Sequence, residues 1–288
     1  ISNINANASG TINNQSANFT VQDGGLAAFV APYAMNSGTI TAHLGRVTLA
    51  SGSKATVDLT GDNLISIALP DTVSQGLVEN TGAIMATGGT VTMTANAASG
   101  ALDNVVNMTG IINATTADIG DIATTGISDG KIILSSGANK MALGGALYAK
   151  DITASGGAVA VTGRTTIGDS SMVIDTAHLT LNNAFYNNHE LIDRGQVTGA
   201  AANVSVTSED ASLQQAVDLA GSGAVVDISA GNYLGNLVID KSLTLNGQPG
   251  ARLYGMEEGG AVVSVAANDV TLNGLDIDGT NPYYALDA

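Results

Sequence analysis

Asn36-Ser-Gly-Thr-Ile40-Thr-Ala-His-Leu-Gly45-Arg-Val-Thr-Leu49 is the stretch whose reading decides the fold. It holds two short alternating apolar runs hinged at a glycine: Ile40-x-Ala42-x-x-Gly45-x-Val47-x-Leu49. The pattern returns as Ile84-x-Ala86-x-x-Gly89-x-Val91-x-Met93 and as Ile152-x-Ala154-x-x-Gly157-x-Val159-x-Val161. A partial copy reads Ile112-x-Ala114-x-x-Ala117-x-Ile119. A unit that alternates, bends at a small residue and recurs is one coil of a solenoid, stacked on copies of itself. Asn36 and Asn80, Gly38 and Gly82, and Ile40 and Ile84 share an offset of 44 residues. That offset is expected to contain two rungs of about 22 residues each.

Outward from this stretch, strands of three to five residues are bounded by Gly, Asn and Asp. They recur too far apart to be hairpins, because two-residue turns would return the chain sooner. They are therefore expected to stack in parallel, each bonded to its equivalent about 4.8 Å along the axis. Asn36 over Asn80 would then form an amide ladder. The interior candidates are Ile40, Val47 and Leu49 with their copies, Val105–Val106, Ile111–Ile112, Ile132–Leu134, Val159–Val161 and Val173–Ile174. Helical periodicity arises at Ser208 to Gly221, where Leu213, Ala216, Val217 and Ala220 share a face, Asp210 or Ser212 can cap the start and Gly221 can end it. Short strands resume afterwards, with Thr244-Leu-Asn-Gly247 repeated as Thr271-Leu-Asn-Gly274. A boundary near residue 200 divides the chain into 1–200 and 201–288.

Composition agrees with a narrow aliphatic bore. The 288 residues are 44% hydrophobic but only 3% aromatic, with 36 glycines and no tryptophan, which disfavours aromatic-rich sandwiches and propellers. The net charge of −16, from 25 acidic and 9 basic residues, repels nucleic acid and anionic membranes. No cysteine is present, so disulfides, thiolate metal sites and a cysteine nucleophile are excluded. No run approaches the roughly 18 apolar residues of a spanning helix. The opening at Ile1, without a basic and apolar leader, reads as a fragment or processed piece.

The stretch Phe29-Val-Ala-Pro32 through Leu69 carries Asn36-Ser-Gly-Thr-Ile-Thr-Ala42, Gly45-Arg-Val-Thr-Leu-Ala-Ser-Gly52 and Asp58-Leu-Thr-Gly-Asp62, and continues through Leu77-Val-Glu-Asn-Thr-Gly-Ala-Ile84. Over about residues 20–165 it resembles the two-partner secretion exoproteins of the filamentous haemagglutinin type. Further on, Leu213-Gln-Gln-Ala-Val217, Gly231-Asn-Tyr233 and Leu237-Val-Ile-Asp-Lys-Ser-Leu-Thr-Leu-Asn-Gly247 are similar to the opening of a pectin-lyase-like β-helix, at about 204–288. Both resemblances imply an all-β, right-handed parallel β-helix. The first implies export through an outer-membrane two-partner transporter, folding outside the cell, and a stalk at the bacterial outer surface for adhesion or biofilm matrix. Host or neighbouring-cell surfaces or a matrix polysaccharide would be its partners. By these resemblances the secretion-signal domain that precedes such coils is expected to be missing or incomplete here, and Ala288 to fall within the second helix.

Chemistry-bearing residues are sparse. His189-Glu190-Leu-Ile-Asp193 begins like a zinc-protease helix but lacks the second His one turn on. His43 and His178 stand singly and read as surface residues. Asp276 and Asp278 alternate on one strand; with Asp269 and Asp240 on neighbouring coils they could form a calcium cluster or the acids of a hydrolase. Arg252, the one Arg after residue 204, has nothing in the sequence to place it beside them. Gly221-Ser-Gly223 and Gly259-Gly260 read as turns. Asn-x-Ser/Thr triplets occur at Asn7, Asn14, Asn18, Asn107, Asn113 and Asn203. The expectation is a non-enzymatic surface scaffold without assigned catalytic, cofactor or metal residues, calcium being the one ion to consider. The alternative is a carbohydrate-active or glycan- or calcium-binding β-helix.

Overall fold

The computed structural model describes residues 2–5, 10–52, 54–57, 76–95, 97, 104–115, 117–119, 126–187, 189–192, 194–256 and 260–280. They form an all-β parallel β-helix with one short α-helix. The principal column of strands starts at Thr11–Asn14 and continues through Tyr33–Asn36, Leu77–Asn80 and Val106–Met108. It then takes in the first parts of Lys140–Ala149 and Ala158–Thr166. From there it runs unbroken past residue 200, by way of His178–Leu181, Ala201–Val206, Ala220–Ile228 and Leu243–Gly247, to Val270–Asn273. A second column, from Asn18–Thr20 to Phe185–Asn187, turns off it at a glycine corner. A third runs from Leu26–Val30 to Val197–Gly199.

In register, like stacks on like. Val78, Val106, Met141, Val159, Leu179, Val204, Val226 and Leu245 lie one above the next, and each is fully buried or nearly so. Val47, Val91, Ile132, Ile152 and Met172 do the same on the third column. Asn36 and Asn80 are also buried, and their amides do form a ladder. Asn14 Nδ2 donates to Asn36 Oδ1 at 2.8 Å, and Asn36 Nδ2 donates to Asn80 Oδ1 at 2.8 Å. The ladder ends where Asn80 Nδ2 meets Met108 Sδ at 3.5 Å, after which the column is aliphatic. Each amide also donates to a carbonyl two or three residues on, which holds the corner at Ala17, Gly38 or Gly82. At that corner successive chains almost touch. A Cβ on Gly82 would lie 2.1 Å from the Gly38 carbonyl oxygen, and one on Gly110 would lie 2.2 Å from that of Gly82, so only glycine fits.

Several expectations need correction. The 44 residues between Asn36 and Asn80 are one coil, not two rungs, because the two side chains are direct ladder partners. Ile152 matches Ile40 in pattern, yet it pairs with Ile132 and Met172 and therefore stacks above Val91 on another face. In the partial copy, Ile112 does sit over Ile84, but Ala117–Ile119 pairs antiparallel with Gly126–Ser128, and the residue in line with Val91 is Ile132. Ile111, Ile133 and Val173 point outward, 47%, 39% and 46% exposed, because side chains alternate across a strand and their neighbours Ile112, Ile132, Leu134 and Ile174 take the bore. The run Leu64 to Leu69 lies outside the described residues.

The helix Leu213–Leu219 is shorter than its periodicity suggests. Ser212 caps it by accepting from the Gln215 N–H, and it ends at Ala220, which is already extended and pairs with Ala201; Gly221 belongs to the following strand, not to a helix cap. The helix occupies the place of a strand in its coil, between the third column and Leu237–Ile239. Two glutamine amides join it to the sheets as a peptide group would. Gln215 Nε2 donates to the Phe185 carbonyl while its Oε1 accepts from the Phe185 N–H, both at 2.9 Å. Gln214 does the same with Val238, at 3.2 and 2.8 Å. Beyond the helix, new columns begin at Gly231–Leu234 and Leu237–Ile239.

The stacking makes a direct prediction. Val91→Asp or Val47→Asp puts an unpaired charge into the aliphatic bore and should destabilise by several kcal/mol. Val173→Asp, on the outer face of the same column, should change stability by no more than about 0.5 kcal/mol. Urea unfolding midpoints of the three variants check the inside and outside assignment.

Candidate functional site

The carboxylates grouped by the sequence separate into three places. Parallel strands Gly231–Leu234, Ala251–Tyr254 and Asp276–Asp278 present alternate residues outward, and register sets Arg252 beside Asp276 and Tyr254 beside Asp278. Arg252 Nε lies 2.7 Å from Asp276 Oδ2, and Arg252 Nη1 donates to the Tyr254 hydroxyl at 3.1 Å. Register therefore places Arg252 where linear sequence could not. The Tyr254 and Asp276 hydrogen bonds hold its guanidinium even further above its usual range. Asp278 accepts from the Thr280 hydroxyl at 2.7 Å and from its N–H at 2.9 Å, and these bonds lower its pKa. A carboxylate held ionised accepts hydrogen bonds and attracts cations; a general acid needs the opposite shift.

Asp240 and Asp269 do not join that cluster. Arg194 bridges Asp218 at 2.7 Å and Asp240 at 2.8 Å, tying the helix to the turn after Leu237–Ile239. The Arg194 hydrogen bond lowers the Asp240 pKa. Asp269 sits in a left-handed turn, φ 56°, and its carbonyl accepts from Ser242. Among the described residues no three His, Cys, Asp or Glu side chains are placed to share a metal ion.

Glu190–Leu191 pairs antiparallel with Tyr186–Asn187, so His189 and Glu190 sit on a hairpin, both exposed, not on a helix; Asp193 is outside the described residues. His43 is about half exposed, its Nδ1 3.3 Å from Asp23 Oδ2, and His178 is exposed beside Asn203. Gly221 and Gly223 lie in the strand Ala220–Ile228, where the register jumps against Ala201–Val206; they form a bulge instead of a turn between elements. Gly259 lies outside the described residues. Of the Asn-x-Ser/Thr triplets, Asn14 is committed to the amide ladder and Asn107 to Glu79 at 2.7 Å.

One surface was not apparent in the sequence. The stacked corner glycines Gly38, Gly82, Gly110 and Gly145 floor an open trough of about 720 Å³ running along the axis. Ser16, Ser37, Thr39, Thr81, Thr109 and Thr166 edge it, and Arg164, stacked 4.1 Å from the Tyr186 ring centre, lies at one end. Such a trough offers hydroxyls at coil spacing to an extended polar chain. The signal in the sequence is the small dipeptide after each corner residue, Ser37-Gly38, Thr81-Gly82 and Thr109-Gly110, but it becomes a column only once register is known. No helix of the described residues is long and apolar enough to cross a membrane.

The Arg194 bridge gives a pH prediction. Asp240 has a lowered folded pKa, so its contribution is present above the unfolded carboxylate value of about 3.9 and is lost as pH falls through the folded value. Arg194→Gln should lower stability by about 1 kcal/mol near neutral pH, the scale of a half-exposed ion pair. The deficit should shrink toward zero on acidification, as followed by urea unfolding at a series of pH values. No family model, no curated protein and no solved structure matches this chain.

Proposed function

We propose that this chain is a fibre-like structural scaffold belonging to a large secreted bacterial surface exoprotein, where it serves adhesion or a biofilm matrix. The observation that carries the reading is the unbroken principal column, from Thr11–Asn14 to Val270–Asn273, over a continuous aliphatic bore. Each coil is satisfied by its two neighbours, so the stack lengthens by about 4.8 Å per coil without any new kind of contact. A cysteine-free chain of low charged content suits passage as an unfolded polypeptide through an outer-membrane transporter, with folding on the far side. Aliphatic stacking and main-chain pairing then supply the folding free energy outside the cell without disulfides.

Removal of residues 39–82, one whole coil, joins Gly38 to Ala83 at equivalent register positions. A scaffold should tolerate it: cooperative unfolding is retained, small-angle scattering gives a rod shorter by about 5 Å, and bacteria exporting the shortened protein still adhere. The purified chain should leave polygalacturonate and neutral polysaccharides uncut. Release of unsaturated or reducing ends that depends on Asp276 or Asp278 would replace this reading with a carbohydrate-active one.

A further inference from the structure

Leu191, Leu234 and Met256 are exposed apolar side chains that gather in one place. They are 55%, 45% and 56% exposed and rim one hollow of about 150 Å³. Its floor is the buried trio Leu213, Leu237 and Leu253. A closed apolar cavity of about this volume holds a benzene-sized group. This hollow is open to solvent and Ser212, Gln214 and Asn236 also line it, but three large aliphatic side chains held around it mark a contact surface more than a chance exposure. Leu191 comes from the Glu190–Leu191 hairpin, Leu213 from the helix, Leu234 and Leu237 flank the turn at Gly235, and Leu253 and Met256 come from the strand Ala251–Tyr254 and the residues just after it, so four separate segments converge.

A second hollow of about 420 Å³ adjoins the first and shares Leu191, Ser212 and Leu234 with it. Glu209 and Asp210 line it, both exposed. Glu209 Oε2 accepts from the Asn232 N–H at 3.0 Å, which fixes its carboxylate on the rim. Glu190, next to Leu191, is also exposed; among the described residues no Lys or Arg lines either hollow, and Arg164 stacks on Tyr186 at the edge of the second. An apolar socket beside a fixed negative rim is complementary to an aliphatic side chain flanked by cations.

We propose that the Leu191, Leu234 and Met256 socket with its Glu209 and Asp210 rim docks an extended cationic peptide segment, one Leu, Ile or Met entering the socket and a neighbouring Lys or Arg meeting the acids. The partner is a basic polypeptide, not a second copy of this chain, whose net charge of −16 opposes self-docking. This site is independent of the scaffold reading.

The test uses the whole chain and a random twelve-residue peptide display library as probe. Selected peptides should carry Lys or Arg beside Leu, Ile or Met. A synthetic copy, followed by fluorescence anisotropy, should weaken at least about tenfold on Leu234→Ser with Met256→Ser, the loss of two apolar anchors. Glu209→Gln with Asp210→Asn should weaken it severalfold and remove most of its salt dependence. All four positions are exposed, so unchanged circular dichroism and urea midpoints verify that folding is intact. No enrichment, selection of acidic or uniformly apolar peptides, or equal binding by the Leu234 and Met256 variant would overturn the proposal. So would sedimentation showing a dimer that the same variant dissolves, since the socket would then serve a second copy.

Discussion

The constraint on which the rest of this structure depends is the parallel main-chain ladder: the backbone N–H and C=O groups of one coil are satisfied by the coils above and below, about 4.8 Å away. A buried coil therefore cannot be fixed alone, and its side chains inherit the register of its neighbours. Inside, this puts aliphatic on aliphatic from Val78 to Leu245, and amide on amide from Asn14 to Asn80. At the corners it brings carbonyl oxygens so close to the next chain that Gly82 and Gly110 cannot carry a side chain. The amide ladder and the glycine column are thus two results of one spacing. The Asn side chains donate to the very carbonyls that the glycines leave approachable.

The same constraint explains how a helix can sit within the stack. Replacing a strand by Leu213–Leu219 removes a partner from the strands on either side, and a buried main-chain group left unpaired costs about 1–3 kcal/mol. Gln214 and Gln215 meet that demand, since a primary amide carries both a donor and an acceptor in the arrangement of a peptide group. One pairs with Val238 and the other with Phe185, so the second column ends, and the Leu237–Ile239 column begins, on a surrogate strand. The adjacent glutamines point to different sheets because successive helix positions are about 100° apart. The principal column needs no such device, because it passes the helix without interruption from Ala201–Val206 to Ala220–Ile228.

Much of the solenoid was legible because its signal is local. Alternation and the glycine hinge at Gly45 and Gly89 reveal the bend, and equal offsets place Ile40 under Ile84 and Val47 under Val91. What pattern alone could not supply is phase. All faces of a coil use the same alternation, so Ile152 looks like Ile40 although it stacks over Ile132. Within an apolar run such as Ile132 to Leu134, composition is uniform while orientation alternates, which is why Ile133 faces solvent. Surface sites depend on phase even more. Arg252 and Asp276 are 24 residues apart in the chain and become neighbours only through register. The corner trough likewise arises from residues of different coils.

Register also bears on where recognition can arise in such a molecule. A regular coil presents the same shallow relief as the one before it, and its outward residues alternate one by one, which scatters apolar groups such as Ile111 and Val173. The corner trough is a groove that the repetition itself makes; an apolar hollow walled on several sides requires a break in that repetition. Around the helix, the column ending at Phe185–Asn187 and the one ending at Val197–Gly199 give way to columns starting at Gly231–Leu234 and Leu237–Ile239. The elements that negotiate this exchange, the Glu190–Leu191 hairpin, the helix and the turn at Gly235, meet at angles a uniform stack does not provide. The apolar socket lies among them. A departure from the repeat that the two glutamines make tolerable for the backbone thereby becomes the place where side chains from several segments can surround one ligand group.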